Sequence, residues 1–274
     1  MQTVTSHDGT TIAYDSYGSG PALILVGGAL SFRKFKKMEQ ISEALSGQLT
    51  VINYDRRGRG DSSPAGAVSV EREIEDIAAL IQAAGGRASL WGWSSGGALA
   101  IRAAGAGIGV DKLTVYEAPF MVDPNGKLPS PDYSQRLDEL VAAGDRNGAV
   151  KHFMRNAVGL PAPFVAVMRL MPMWKQLRST AHTLPFDWAA LGDHNMHGTP
   201  LDPAEFASVT VSSLVAYGSK SPHPLQAGSR ALAEVLPSAE LRELEGQTHN
   251  VSPKALAPLL TEFLTRNQTA AVAA

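Results

Sequence analysis

Two patterns alternate along the chain. Short apolar-rich runs of strand length lie at Ala22–Val26, Thr50–Tyr54, Ala88–Trp91, Lys112–Tyr116, Ser213–Tyr217 and Glu240–Leu244. Ala22–Val26 is apolar throughout, as expected of a strand covered on both faces. Between these runs lie stretches with helical spacing. They are Arg33–Leu45, Val70–Ala84 (apolar at Ile74, Ile77, Ala78 and Ile81), a small-residue run ending near Ala106, Leu225–Leu236 and Pro253–Arg266. At the start, Gln2–Thr5 and Thr11–Tyr17 flank His7-Asp8-Gly9, whose Asp-Gly step predicts a tight hairpin. Strands alternating with helices predict an α/β fold: a mostly parallel, eight-stranded sheet with helices on both faces.

The alternation stops between Phe120 and Ala207. Prolines there punctuate helical patches at Tyr133–Ala143, Asp145–Val158, Ala162–Leu170 and Met173–Leu184, with no strand-like run. The pattern predicts a helical cap, residues 120–207, inserted into a core made of residues 1–119 and 208–274. Asn267–Ala274 reads as a frayed tail.

Composition narrows the function classes. The chain has 274 residues, enough for a sizeable core, and a formal net charge of −2, which argues against nucleic acid or an anionic membrane as the main partner. With no cysteine, disulfides, thiolate metal sites and a cysteine nucleophile are excluded. The first residues carry no basic or apolar leader pattern, and no apolar run approaches a membrane span. The expectation is a cytoplasmic protein, monomer or homodimer, acting on a small molecule.

Gly92-Trp93-Ser94-Ser95-Gly96 follows one strand and opens a helix, which is the context of a G-x-S-x-G nucleophile elbow. A serine on so sharp a turn needs neighbours without side chains two positions away on either side. The helix behind it would aim its N-terminal N–H groups at a developing oxyanion. A serine hydroxyl needs a base, expected late in the chain after a carboxylate. His249, in Gly246-Gln247-Thr248-His249, lies between the last strand and the last helix and fits that place.

With these motifs, Val26-Gly27-Gly28 and Asp55-x-Arg57-Gly58-x-Gly60-x-Ser62, the chain resembles the α/β-hydrolase superfamily over nearly its whole length. Within it, the chain looks like the capped esterase, lactonase and cofactor-free haloperoxidase-like group. The resemblance implies an oxyanion hole from the N–H groups of Ser95 and Ala29, with Gly28 as the alternative. It also exposes a departure. Many relatives carry an aspartate after the seventh strand, where this chain has Ser221 in Gly218-Ser219-Lys220-Ser221-Pro222. Some superfamily members place the acid after the sixth strand, where this chain has Glu117. Glu117 is therefore the expected acid, with Asp123, Asp187 and Asp193 as outside candidates.

Other signals carry less. Arg59-Gly60-Asp61 reads as part of a tight loop held by Asp55 and Arg57 rather than an adhesion motif. Asp193–His197 reads as a polar surface loop rather than a metal site, and Gly105–Gly109 lies on the wrong side of its strand for a dinucleotide. No cofactor or metal is inferred. The predicted substrate pocket takes Trp93 from the core and Met168, Met171, Trp174, Phe186 and Trp188 from the cap, favouring a partly apolar substrate. The leading expectation is a serine hydrolase of a carboxylic ester or lactone. Carbon–carbon hydrolase, lyase or cyclase chemistry on the same residues is an alternative, as is a ligand-binding protein with a weakened triad.

Overall fold

A computed structural model describes residues 1–64 and 66–266; the tail Asn267–Ala274 lies outside the described residues. The expected eight-stranded sheet forms, in the order β1-β2-β4-β3-β5-β6-β7-β8. β1 (Gln2–Thr5) and β2 (Thr11–Tyr17) make the antiparallel hairpin, and β2 pairs antiparallel with β4 (Thr50–Tyr54). β3 (Ala22–Val26), β5 (Ala88–Trp93), β6 (Val110–Tyr116), β7 (Ser213–Gly218) and β8 (Ala239–Leu244) continue it in parallel.

Side chains that alternate along each strand build two cores. In β3, Leu23 and Leu25 face α1 (Lys36–Leu45) and α11 (Pro253–Thr265), while Ile24 and Val26 face α2 (Val70–Ala83) and α3 (Ser95–Gly105). α10 (His223–Val235) covers the second face beside β7 and β8.

The sheet order also fixes where a site can lie. From β3 the chain winds to β4 on one side and then returns to β5 on the other, so the β3–β5 boundary is a switch point where strand ends part and leave a crevice. Val26 is paired with Gly92 across that boundary, which sets Gly27-Gly28 beside Trp93-Ser94 as both strands end.

Between β6 and β7 the chain is helical: α4 (Tyr133–Ala142), α5 (Arg146–His152), a π-helical turn (Phe153–Ala157), α6 (Ala162–Met168), α7 (Met173–Thr180), α8 (Leu184–Leu191) and α9 (Pro203–Phe206). Three local expectations change. Arg33 does not open the first helix; it is buried, and its backbone N–H and Nε both bond Asp55. The patch Asp145–Val158 is α5 followed by the π turn, not one regular helix. The patch ending at Leu184 is α7, a 3₁₀ turn (Ala181–Thr183), and then a separate helix, α8. α8 is apolar nearly all round and has no amphipathic period to find, because it is buried against α3.

Two elbow glycines are required by close approach. A Cβ on Gly92 would stand 2.4 Å from Gly97 Cα, and one on Gly96 would stand 2.2 Å from the Val26 carbonyl oxygen. Backbone blocks both, so nothing flexible can yield. Gly96→Ala is expected to cost about 1–3 kcal/mol of stability by overpacking, read as a lower denaturant midpoint at unchanged slope.

Candidate active site

Ser94 sits at the apex of the turn between β5 and α3 with φ 58° and ψ −132°. Its N–H donates to the Tyr116 carbonyl at 3.0 Å, and the Gly97 N–H donates back to the Ser94 carbonyl at 2.8 Å. Among the described residues only Leu30, Ser94 and Glu117 combine a side chain beyond glycine with a positive φ. Ser94 and Glu117 directly follow β5 and β6, and Leu30 lies in the loop after β3. Such backbone costs about 1–3 kcal/mol per residue and persists only where its surroundings impose it.

Glu117 is fully buried at the end of β6. Its backbone is fixed by donation to the Ala216 carbonyl at 3.2 Å. Its Oε1 accepts the Gly218 N–H at 2.7 Å, and its Oε2 lies 2.7 Å from His249 Nδ1. The peptide groups on either side of His249 are also held. Tyr116 Oη donates to the Thr248 carbonyl at 2.8 Å, and Trp93 Nε1 donates to the His249 carbonyl at 3.0 Å. The imidazole is therefore placed by residues at the ends of β5 and β6. No hydrogen bond joins Ser94 Oγ to His249 in this structure, but both open on the same cavity.

The other carboxylates have different duties. Asp123 caps its own turn through the Asn125 N–H, and Asp193 takes Trp188 Nε1 and His197. His194 pairs instead with Glu205, so the two histidines of that loop serve different partners. In the fourth-strand turn, Asp55 holds the Asp61 N–H at 2.9 Å as expected. Arg57 does not help; it goes to Asp76 and Asp8. Ser221, at the position where the resemblance implies an acid, is buried, and its hydroxyl has no hydrogen-bond partner among the described residues.

The cavity above Ser94 has a volume of about 530 Å³ and mostly apolar walls. Gly28, Ala29, Ser95, Trp93 and Trp188 line it with Ser94 and His249. Four predicted pocket residues do not. Met168 and Trp174 are buried in the interior of the helical insertion, Phe186 is buried away from the cavity, and Met171 is exposed to solvent. Helical geometry explains Phe186. Leu184, Asp187, Trp188 and Leu191 recur at i, i+3, i+4 and i+7 and share the cavity face, and Phe186 falls on another. Among the residues missed are four of the π turn, Phe153, Met154, Asn156 and Ala157, which line the wall. π turns recur at functional sites, but their extra residue leaves only a small phase slip in the hydrophobic pattern.

A model of the Alpha/beta hydrolase family matches residues 22–259. The chain belongs to that family. An alpha/beta hydrolase from Sphaerobacter thermophilus is 47% identical to it, with a TM-score of 0.88 over 96% of this chain and 100% of that one. An esterase from Thermogutta terrifontis (20% identity, TM-score 0.70, 97% and 98% covered) shares the fold. So does an enol-lactonase from Burkholderia xenovorans (20% identity, TM-score 0.68, 97% and 100% covered). No curated protein matches the sequence.

In this alpha/beta hydrolase the carboxylate of Asp187, on α8, ties the insertion to the elbow. It accepts from Arg56 Nη1 at 2.5 Å, Arg59 Nη2 at 2.7 Å and Ser95 Oγ at 2.9 Å. Arg56 also forks onto Glu73 and reaches the Gly27 carbonyl; Arg59 donates to the Gly28 carbonyl at 2.7 Å and to Thr183. All three charged groups are buried. Burial pushes the Asp187 carboxyl up, but the charges and hydrogen bonds of Arg56 and Arg59 outweigh it and hold the group below its ordinary value. Burial and the neighbouring Arg56 push the Arg59 guanidinium down.

Asp187→Ala is expected to cost about 3–5 kcal/mol, because Arg59 is left buried without a carboxylate. A carboxyl depressed by folding stabilises above its unfolded value and loses that contribution as pH falls through its folded one. The stability gap between native and variant chains is therefore expected to hold steady above the ordinary value of 3.8 and to narrow below it, measured by urea unfolding across pH.

Proposed function

We propose that this chain hydrolyses a carboxylic ester or lactone, with Ser94 as nucleophile, His249 as general base and acid, and Glu117 as the acid that orients the histidine. The observation that carries this reading is the 2.7 Å bond between Glu117 Oε2 and His249 Nδ1, on a histidine that faces the cavity above Ser94. A carboxylate on Nδ1 holds the tautomer whose Nε2 is free to accept a proton, and stabilises the imidazolium that forms. The same bond weighs against a binding protein with a weakened triad, a reading that rested on the serine at position 221.

Ser94 Oγ attacks the carbonyl carbon while its proton passes to His249 Nε2. The carbonyl oxygen becomes an oxyanion, and its collapse expels the alcohol, which takes the proton from the imidazolium. Water, deprotonated by His249, then attacks the acyl-enzyme and releases the acid with Ser94 restored. The N–H of Ser95, first in α3 and so without an intrahelical partner, is one proposed oxyanion donor. For the second, Ala29 is favoured over Gly28. The Gly28 carbonyl is held by Arg59 and by Ser31 Oγ. The C=O and N–H of one trans peptide point opposite ways, so the Ala29 N–H is turned away from those donors. Losing one such donor costs about 10²–10³-fold in rate.

The apolar wall supports a partly apolar substrate, with the helical insertion serving as its cap. A fluorophosphonate probe is expected to label the native chain and leave Ser94→Ala unlabelled, and short p-nitrophenyl esters to be turned over only by the native chain. Labelling that persists in Ser94→Ala would remove the nucleophile assignment. Glu117→Gln is expected to lower kcat by about 10⁴-fold, the size of effect seen when a triad carboxylate becomes an amide. Adding Ser221→Asp to that variant is expected to restore part of the loss. Full activity in Glu117→Gln would mean that another group holds the histidine.

A further inference from the structure

The arginines of this chain divide in two. The eleven outside the segment Arg146–Phe186 all form ion pairs, from buried Arg33, Arg56, Arg57 and Arg59 to exposed Arg266. The four inside it, Arg146, Arg155, Arg169 and Arg178, form none among the described residues and are exposed, as are Lys151 and Lys175. No aspartate or glutamate occurs in this segment. Six cations on a chain of net −2 leave a formal −8 on the remainder, so the small total hides a strong charge separation.

The same segment holds most of the large apolar side chains that face water. Val158, Phe164, Val167, Leu170, Met171 and Met173 are between 39% and 87% exposed. Elsewhere among the described residues only Met1 and Val68 compare. Leu170, at 87%, stands at the turn between α6 and α7, flanked by Arg169 and Met171. α6 and α7 bury Val165, Met168, Trp174 and Leu177 inward, so their outer faces carry both the apolar residues and the cations. Clustered exposed apolar side chains mark an interaction surface.

We propose that this face docks onto an anionic lipid surface, with Leu170 and Phe164 entering the headgroup boundary and Arg169, Lys175 and Arg178 meeting lipid phosphates. The combination of large apolar side chains with unpaired Lys and Arg is that of an interfacial segment. No helix among the described residues is long and apolar enough to cross a membrane, so the contact is peripheral. Charge decides between occupants. In a two-fold dimer the patch would meet its own copy, setting cation against cation with no carboxylate to answer. An acidic protein could satisfy the cations, but a protruding turn tipped by leucine suits a deformable layer better than a folded surface. Val158 belongs both to this patch and to the cavity wall, so the docked face lies beside the cavity.

The test uses the full chain and vesicles of phosphatidylcholine, either alone or with about a third phosphatidylglycerol. Co-sedimentation is expected with the anionic vesicles, falling about tenfold or more on moving from low to high salt. Arg169→Glu with Arg178→Glu is expected to weaken partition by about tenfold or more, since each cation near such a surface is worth several-fold. Leu170→Asp is expected to weaken it comparably, with thermal midpoints unchanged because all three positions are exposed. Binding to neither vesicle, or equally to both, overturns the proposal, and that comparison needs no variant. Binding to soluble polyglutamate as tight as to vesicles would assign the face to an acidic protein. A dimer seen by sedimentation velocity without lipid, and abolished by Leu170→Asp, would assign it to a second copy. Neither readout depends on catalysis.

Discussion

A buried carboxylate between two buried guanidiniums holds this molecule's site together. Asp187 comes from the helical insertion, Arg56 and Arg59 from the turn after β4, and the two arginines reach the carbonyls of Gly27 and Gly28 after β3. Ser95, at the start of α3, gives its hydroxyl to the same carboxylate. Four separately folded segments therefore meet at one charge cluster. Such a cluster is poor evidence for net stability, since desolvation offsets much of the attraction. Its value lies in geometry: a displaced insertion would leave Arg59 buried without a carboxylate, so one placement of α8 is strongly preferred. Both backbone segments proposed to hold an oxyanion are fastened to that cluster.

Strain is concentrated where the cluster and the sheet converge. Ser94 and Glu117 hold positive φ directly after β5 and β6, Leu30 does so in the loop after β3, and Ser94 and Glu117 are the proposed nucleophile and acid. Hydrogen bonds to neighbouring strand ends keep Ser94 and Glu117 there: the Ser94 N–H donates to Tyr116 and the Glu117 N–H to Ala216. The parallel sheet thus serves as a rigid frame against which unfavourable backbone is held. The switch point between β3 and β5 is where the sheet leaves room for it.

Much of this was legible in the sequence, and the failures have physical causes. Strand positions, the hairpin and the elbow followed from runs of apolar residues and glycine spacing, which depend on local sterics. Glu117 could be singled out because it is a carboxylate at the end of β6, whereas the loop after β7 offers only Ser221. The pocket was harder. Methionine and aromatic content in the insertion suggested Met168, Met171, Trp174 and Phe186, but composition does not say which way a helix faces. α8 has no polar stripe to orient it, and the π turn shifts the phase of α5 so that its wall residues escape a regular period. Arg56 and Arg59 looked like members of a loop motif. Their partner, Asp187, lies more than a hundred residues away, and no local pattern could join them.

The proposed triad takes its acid from the strand beside the one where the sequence resemblance implies it. β6 and β7 are adjacent and in register, with Tyr116 opposite Ala216. The residue after Tyr116 therefore emerges beside the turn that follows β7, the turn containing Gly218 and Ser221. Glutamate has one more methylene than the aspartate that the sequence resemblance implies there, and from one strand away its Oε2 reaches His249 Nδ1. The Gly218 N–H, on β7, bonds its other oxygen, so the carboxylate is steadied by the neighbouring strand. Gly218 must be glycine for this to work: a Cβ there would meet the Gln247 carbonyl oxygen at 2.3 Å, in the loop that carries His249. The small, unpartnered Ser221 hydroxyl then follows from the same arrangement, since a second carboxylate at that place would crowd a buried negative charge against Glu117.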